Sequence, residues 1–169
     1  FCVDGIPSIP HMYHLLHELS IPAAFVVDKD YFVPYRNNNE RKKSIDSKGF
    51  PLYRAEAKQR SLLATLFPSP KDQGSLLHAL VYNHRAAMDM LQSVNFFAFR
   101  YSMEVDLVSV PATRERLFDL TGLTGADRTE KNLLAKKDAL KEQAYLLKSF
   151  TGIPSNRLPA SYQRLRSKL

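Results

Sequence analysis

The sequence predicts an α/β fold: a small, mostly parallel sheet flanked by helices, with a helical C-terminal region. Three observations point there. Two segments, Phe1-Cys2-Val3 and Ala23-Ala24-Phe25-Val26-Val27, are unbroken apolar runs, as strands covered on both faces are. Between them Ile9, Met12, Leu15, Leu16 and Leu19 recur at helical spacing, which makes a right-handed βαβ unit the default. A third strand is expected over residues 95–108. There Phe97, Phe99, Tyr101, Met103, Val105 and Leu107 share one parity, and Arg100, Ser102, Glu104 and Asp106 share the other.

The elements follow in order. Asp4-Gly5 ends the first strand at a turn. Pro7 and Pro10 suit the first turn of a helix, where a missing N–H does no harm, and Ser20-Ile21-Pro22 closes that helix. The second strand runs into Asp28-Lys29-Asp30. Residues 34–60 read at least partly as loop, marked by Asn37-Asn38-Asn39 and Gly49. Helical pattern resumes over 55–67 and stops at Pro68-Ser69-Pro70. A clearer helix is expected over 75–93, with Leu76, Leu77, Leu80, Val81, Met88 and Leu91 on its apolar side. Pro111 opens a short helix that stops at Thr121-Gly122. The longest helix is expected over 126–150, striped by Leu133, Leu140, Ala144 and Leu147 and ended by Thr151-Gly152-Ile153-Pro154. The organisation read from this is residues 1–110 as an α/β domain with a basic insertion at about 34–93, then a helical region over 111–169. Phe1 stands where a chain start would carry Met, so a later part of a longer protein is expected.

Composition narrows the function classes. The 169 residues are 44% hydrophobic and 24% charged, which excludes disordered and fibrous chains. No apolar run approaches the ~18 residues a membrane span needs, so no membrane partner is expected. A single cysteine, Cys2, excludes an intrachain disulfide and a four-cysteine zinc site, and it favours a reducing, cytoplasmic setting. The net charge of +7 favours an anionic partner. Residues 34–60 hold eight bases against three acids, five of those seven charges. Arg36, Arg41, Lys42, Lys43, Lys48 and Arg54 there, with Tyr31, Phe32, Tyr35 and Tyr53 nearby, are the candidate contacts to a DNA or RNA backbone. A solvated loop over packed aromatics is the equal alternative.

The placement of the acids carries the chemistry. Asp4 follows the first strand, and Asp28 and Asp30 follow the second. Ends of parallel strands meet at one edge, where such folds bind ligands. Carboxylates gathered there repel one another, and a hard divalent cation relieves the repulsion. A Mg²⁺ or Mn²⁺ site is therefore expected, suited to phosphodiester hydrolysis. A turn capped by Asp28 and Asp30 is the competing account.

Val3-Asp4-Gly5 followed by a helix and by Phe25-Val26-Val27-Asp28-Lys29-Asp30 resembles the Toprim domain. Tyr31 after the Asp-x-Asp makes it more similar to the overcoming-lysogenization-defect (OLD) nucleases than to topoisomerases. The resemblance covers residues 1–32 well and 95–108 loosely. It implies a metal-dependent endonuclease acting on DNA or RNA. It places Asp4, Asp28, Asp30 and Glu104 as catalytic and metal-binding acids, with Asp106 as a further ligand, and lets Asp4 assist proton transfer. It also implies an ATPase domain or subunit outside this chain, an oligomer or larger complex, and a role in anti-phage defence. A lysine that stabilises transition-state charge is implied too, with Lys29, Lys136, Lys137 and Lys141 as candidates. Asp4 stands where the family usually has Glu, and Ser8 where OLD-type members commonly have a second acid. These departures motivate a second reading, a non-catalytic nucleic-acid-binding or assembly module. A topoisomerase or primase fragment is a third.

The remaining patterns are weaker. Glu56 is an alternative to Glu104, although it reads better as a solvated helix acid. His11, His14 and His17 drift around their helix and read as a polar face rather than a metal site. There is no Gly-rich phosphate loop, no Walker lysine and no nucleophile elbow.

Overall fold

A computed structural model describes residues 8–37 and 44–167. The expected strand at residues 1–3, Asp4, and the cations Arg41, Lys42 and Lys43 lie outside the described residues. Helix α1 spans Ser8–Glu18 and leads to strand β1, Phe25–Val27. Strand β2, Phe96–Ala98, pairs with β1 in parallel, with Phe25 opposite Phe96 and Val27 opposite Ala98. Between the strands lie α2 (Arg60–Leu66), α3 (Pro70–Tyr82) and α4 (His84–Gln92). The class is α/β, a two-stranded parallel sheet among helices, as the apolar runs and helical spacing indicate.

Four expected elements are corrected. The segment 95–108 is not one strand. Pairing stops at Ala98, and α5 begins at Met103 and ends at Ser109. The cause is Asp106. Its Oδ2 accepts the Arg100 N–H at 2.8 Å and its Oδ1 accepts the Tyr101 N–H at 2.8 Å, which folds the chain back into a helical turn. Val105, Leu107 and Val108 are buried from that helix. The single helix expected over 75–93 is two, parted at Asn83, whose side chain accepts the Ala86 N–H and starts α4 afresh. The long helix expected over 126–150 is three short ones, α7 (Glu130–Ala135), α8 (Lys137–Leu140) and α9 (Gln143–Phe150). The pattern over 55–67 is helical only as α2. The short helix after Pro111 is present as α6, Pro111–Thr121, and stops at Gly122, whose φ of 67° is the left-handed cap that glycine supplies. The last helix is α10, Ala160–Arg166.

Two apolar clusters hold these elements. One gathers Phe32, Leu62, Leu76, Leu80, Leu91 and Phe96 around the sheet and α2–α4. The other gathers Phe50, Leu107, Leu117, Leu133 and Leu140 around α5–α8. Phe50 comes from the basic segment. That segment is tied down: Tyr35 bridges Tyr53, Ile45 bridges Pro51, and Asp46 Oδ1 accepts the N–H groups of Lys48 and Phe50. Gly49 has φ of 91°, and a Cβ there would stand 3.3 Å from the Leu134 side chain. The segment therefore lies closely against α7.

Candidate functional site

Both strands end on the same side, and their continuations supply the acids. After β1 the chain makes a one-turn 3₁₀ helix, Lys29–Tyr31, and the Lys29 N–H bonds the Tyr101 carbonyl at 2.9 Å. After β2 it enters α5. Asp28, Asp30 and Glu104 thereby line one cleft of about 590 Å³. Its walls carry Lys131 from α7, Lys137 from α8, Lys141 just beyond α8, and the rings of Tyr35 and Tyr53. The acids are positioned rather than loose. Tyr35 Oη donates to Asp30 Oδ2 at 2.8 Å, and the Met103 N–H donates to Asp28 Oδ1 at 3.2 Å. Glu104 is buried at 5% exposure, with Lys141 Nζ 4.0 Å from its Oε1.

Withdrawal from water and neighbouring like charge act together on Asp28. Asp28 keeps an exposed edge, but its carboxyl is ringed by protein. Its pKa is raised to about 6, first by withdrawal from water, then by Glu104 and Asp30; the Met103 N–H opposes the rise. A folded value above the unfolded 3.8 means the folded form holds its proton longer. The destabilisation is absent below the unfolded value, grows as pH rises between the two, and is complete above about 6. Asp28→Asn is therefore expected to raise the melting temperature at pH 8 by on the order of 2–4 °C and to leave it unchanged at pH 4. A variant less stable than wild type at pH 8 would show instead that the carboxylate is a net stabiliser.

The other sequence candidates separate from this cleft. Asp106 has no place in it. Its oxygens are taken by the Arg100 and Tyr101 N–H groups and by Ser161 Oγ at 2.5 Å. Glu56 is exposed and sits beside Arg54, their charged atoms 2.9 Å apart but not aligned as a hydrogen bond. Lys48 approaches Glu130 at 3.5 Å, and Arg36 is exposed. Of the lysine candidates, Lys137 and Lys141 face the acids, Lys136 bonds the Thr121 carbonyl, and Lys29 turns away. Lys131 belongs to the lysine wall and was not foreseen, because nothing in its local sequence relates it to Asp28. His11, His14 and His17 are exposed, and Tyr13 stacks on His17.

The donor set of the cleft is oxygen alone, which fits Mg²⁺ or Mn²⁺ better than softer metals. Among the described residues no three His, Cys, Asp or Glu side chains converge on one ion position. Mg²⁺ is commonly held by one or two carboxylates with water and substrate oxygens completing its shell, and Asp28 with Glu104 suits that arrangement. Among the described residues no helix is long and apolar enough to cross a membrane. No family model, curated protein or solved structure matches the chain.

Proposed function

We propose that the chain is a metal-dependent nuclease of Toprim type, cleaving phosphodiester bonds in DNA or RNA. The observation that carries this reading is that Asp28 and Asp30, from the turn after β1, and Glu104, from α5 beyond β2, line one cleft walled by lysines. Asp28 and Glu104 would hold the ion, with Asp30 beside them fixed by the Tyr35 hydroxyl. A divalent ion supplies positive charge against the phosphate oxygens and makes an attacking water more acidic. The chain's own residues do the rest. Lys137 and Lys141 place positive charge where the phosphate would develop negative charge. Arg36, exposed next to Tyr35 of the cleft wall, offers a contact to a phosphate backbone.

The test is cleavage of single- and double-stranded DNA and of RNA with Mg²⁺ or Mn²⁺. Asp28→Asn and Glu104→Gln are expected to lower the rate by about 10²-fold or more, as loss of charge stabilisation does. Glu56→Gln, remote from the cleft, is expected to leave it unchanged. A second reading, a non-catalytic nucleic-acid-binding module, is motivated by Asp4 and Ser8 standing where the resembled family has Glu and a second acid. Nucleic-acid binding by wild type, unaffected by metal and without cleavage, would decide for it.

A further inference from the structure

The residues between the acids point elsewhere. Asp28 and Asp30 line the acidic cleft, whereas Lys29 lines a separate cavity of about 780 Å³. On α5 the same division recurs, with Glu104 in the first cleft and Asp106 on the second. The second cavity is bordered by α4, α10 and the turn after β2, and its volume lies within the range of small-ligand sites.

Its walls are strongly cationic. Lys29, Arg85, Arg100 and Arg164 all line it. Among the described residues its one lining acid is Asp106, whose oxygens are engaged by two backbone N–H groups and Ser161. Arg164 reaches Gln92 at 2.8 Å and pairs with Asp89. Among the described residues no ion pair forms at Lys29, Arg85 or Arg100. Lys29 is 4% exposed, its ammonium 5.1 Å from the Tyr53 ring centre and 5.4 Å from that of Tyr101. Asp106 acts on this ammonium through its charge without forming an ion pair, so Lys29 is left with rings rather than a direct carboxylate partner. His84 adds a second incomplete group: both its ring nitrogens are buried and neither has a hydrogen-bond partner. Burial, Lys29 and Arg100 together push the His84 pKa down to about 3, so the field in the cavity is positive.

We propose that this cavity binds a phosphate group, with Lys29, Arg85 and Arg100 supplying charge and His84 a neutral ring hydrogen bond. The ligand is a phosphomonoester or polyphosphate, carried either by a free nucleotide or by the end of a nucleic-acid strand. The proposal does not depend on the acidic cleft being catalytic.

Calorimetric titration of the intact chain with inorganic pyrophosphate, in chelator so that no metal recruits phosphate to the acids, tests it. Saturable binding is expected. Arg85→Glu and Lys29→Met are each expected to weaken it by about tenfold or more, as loss of one charge-assisted contact does. Lys131→Glu with Lys137→Glu, in the other cleft, is expected to leave it unchanged. Circular dichroism melts establish that each variant is folded, and Arg85, being exposed, is replaceable without disturbing a core. No saturable binding, or a loss that follows Lys131 and Lys137 rather than Arg85, overturns the proposal. Tighter binding of a 5′-phosphorylated than of a 5′-hydroxyl oligonucleotide assigns the strand end. Equal binding of those two with tight binding of a nucleoside triphosphate assigns the free nucleotide.

Discussion

Asp106→Ala is expected to lower the unfolding free energy by about 4 kcal/mol, since each buried partner left unsatisfied costs about 1–3 kcal/mol. Asp106 is fully buried and accepts three hydrogen bonds, from Arg100 N–H, Tyr101 N–H and Ser161 Oγ. These bonds turn the chain from β2 into α5 and fasten α10 to that turn. Urea unfolding at constant pH measures the cost, and Asp106→Asn, which keeps one acceptor oxygen, is expected to lose about half as much. The pH dependence is specific. Burial raises the Asp106 pKa to about 6 in spite of its three donors. Above that value the ionised group carries a desolvation cost that alanine lacks, so the deficit of Asp106→Ala is expected to be larger at pH 5 than at pH 8. A cost below about 1 kcal/mol would mean that water replaces the three bonds and that the turn is held by other contacts.

Phe96→Ala is expected to cost a similar amount, about 4 kcal/mol, for a different reason. Phe96 is fully buried at the centre of the first apolar cluster. Its ring stacks on Phe25 with centroids 4.9 Å apart and meets Phe32 and Tyr13 at 5.8 and 5.9 Å. Removing it leaves a void between the sheet and three aromatic neighbours that cannot collapse together without breaking the β1–β2 register. Unlike Asp106→Ala, this loss is expected to be the same at pH 5 and pH 8. Val26→Ala, one residue along the partner strand and 44% exposed, is expected to cost less than about 1 kcal/mol in the same assay. A small cost at Phe96 would show that the aromatic cluster repacks.

Sequence patterns revealed the parts of this fold that local chemistry determines. The apolar run before Asp28 is a strand, Ser8–Glu18 is a helix, and Gly122 stops α6. The segment after β2 shows why pattern alone fails. Its alternation of Phe97, Phe99, Tyr101 and Met103 continues by coincidence into Val105 and Leu107, and only the Asp106 hydrogen bonds reveal the change of period. Asn83 likewise cuts a convincing helix through a cap, which hydrophobic spacing does not register. The meeting of Asp28, Asp30 and Glu104 was legible because each acid follows a strand end or its continuation. Glu104 sits on a helix rather than the expected strand, yet it reaches the same cleft. Of the lysine wall, Lys137 and Lys141 were among the candidates the family resemblance implies, whereas Lys131 and the cationic cavity as a whole were not legible in this way. Lys29, His84, Arg100 and Arg164 are up to 135 residues apart (164 − 29), and tertiary packing alone brings them to one place.

The turn after β1 sorts opposite charges to separate cavities by their order alone. Most surface connections accept an inserted or deleted residue at small entropic cost. Here such a change would move an acid to the cationic side or a base among the carboxylates. Length, rather than the identity of any one side chain, is therefore what this part of the chain is least free to vary.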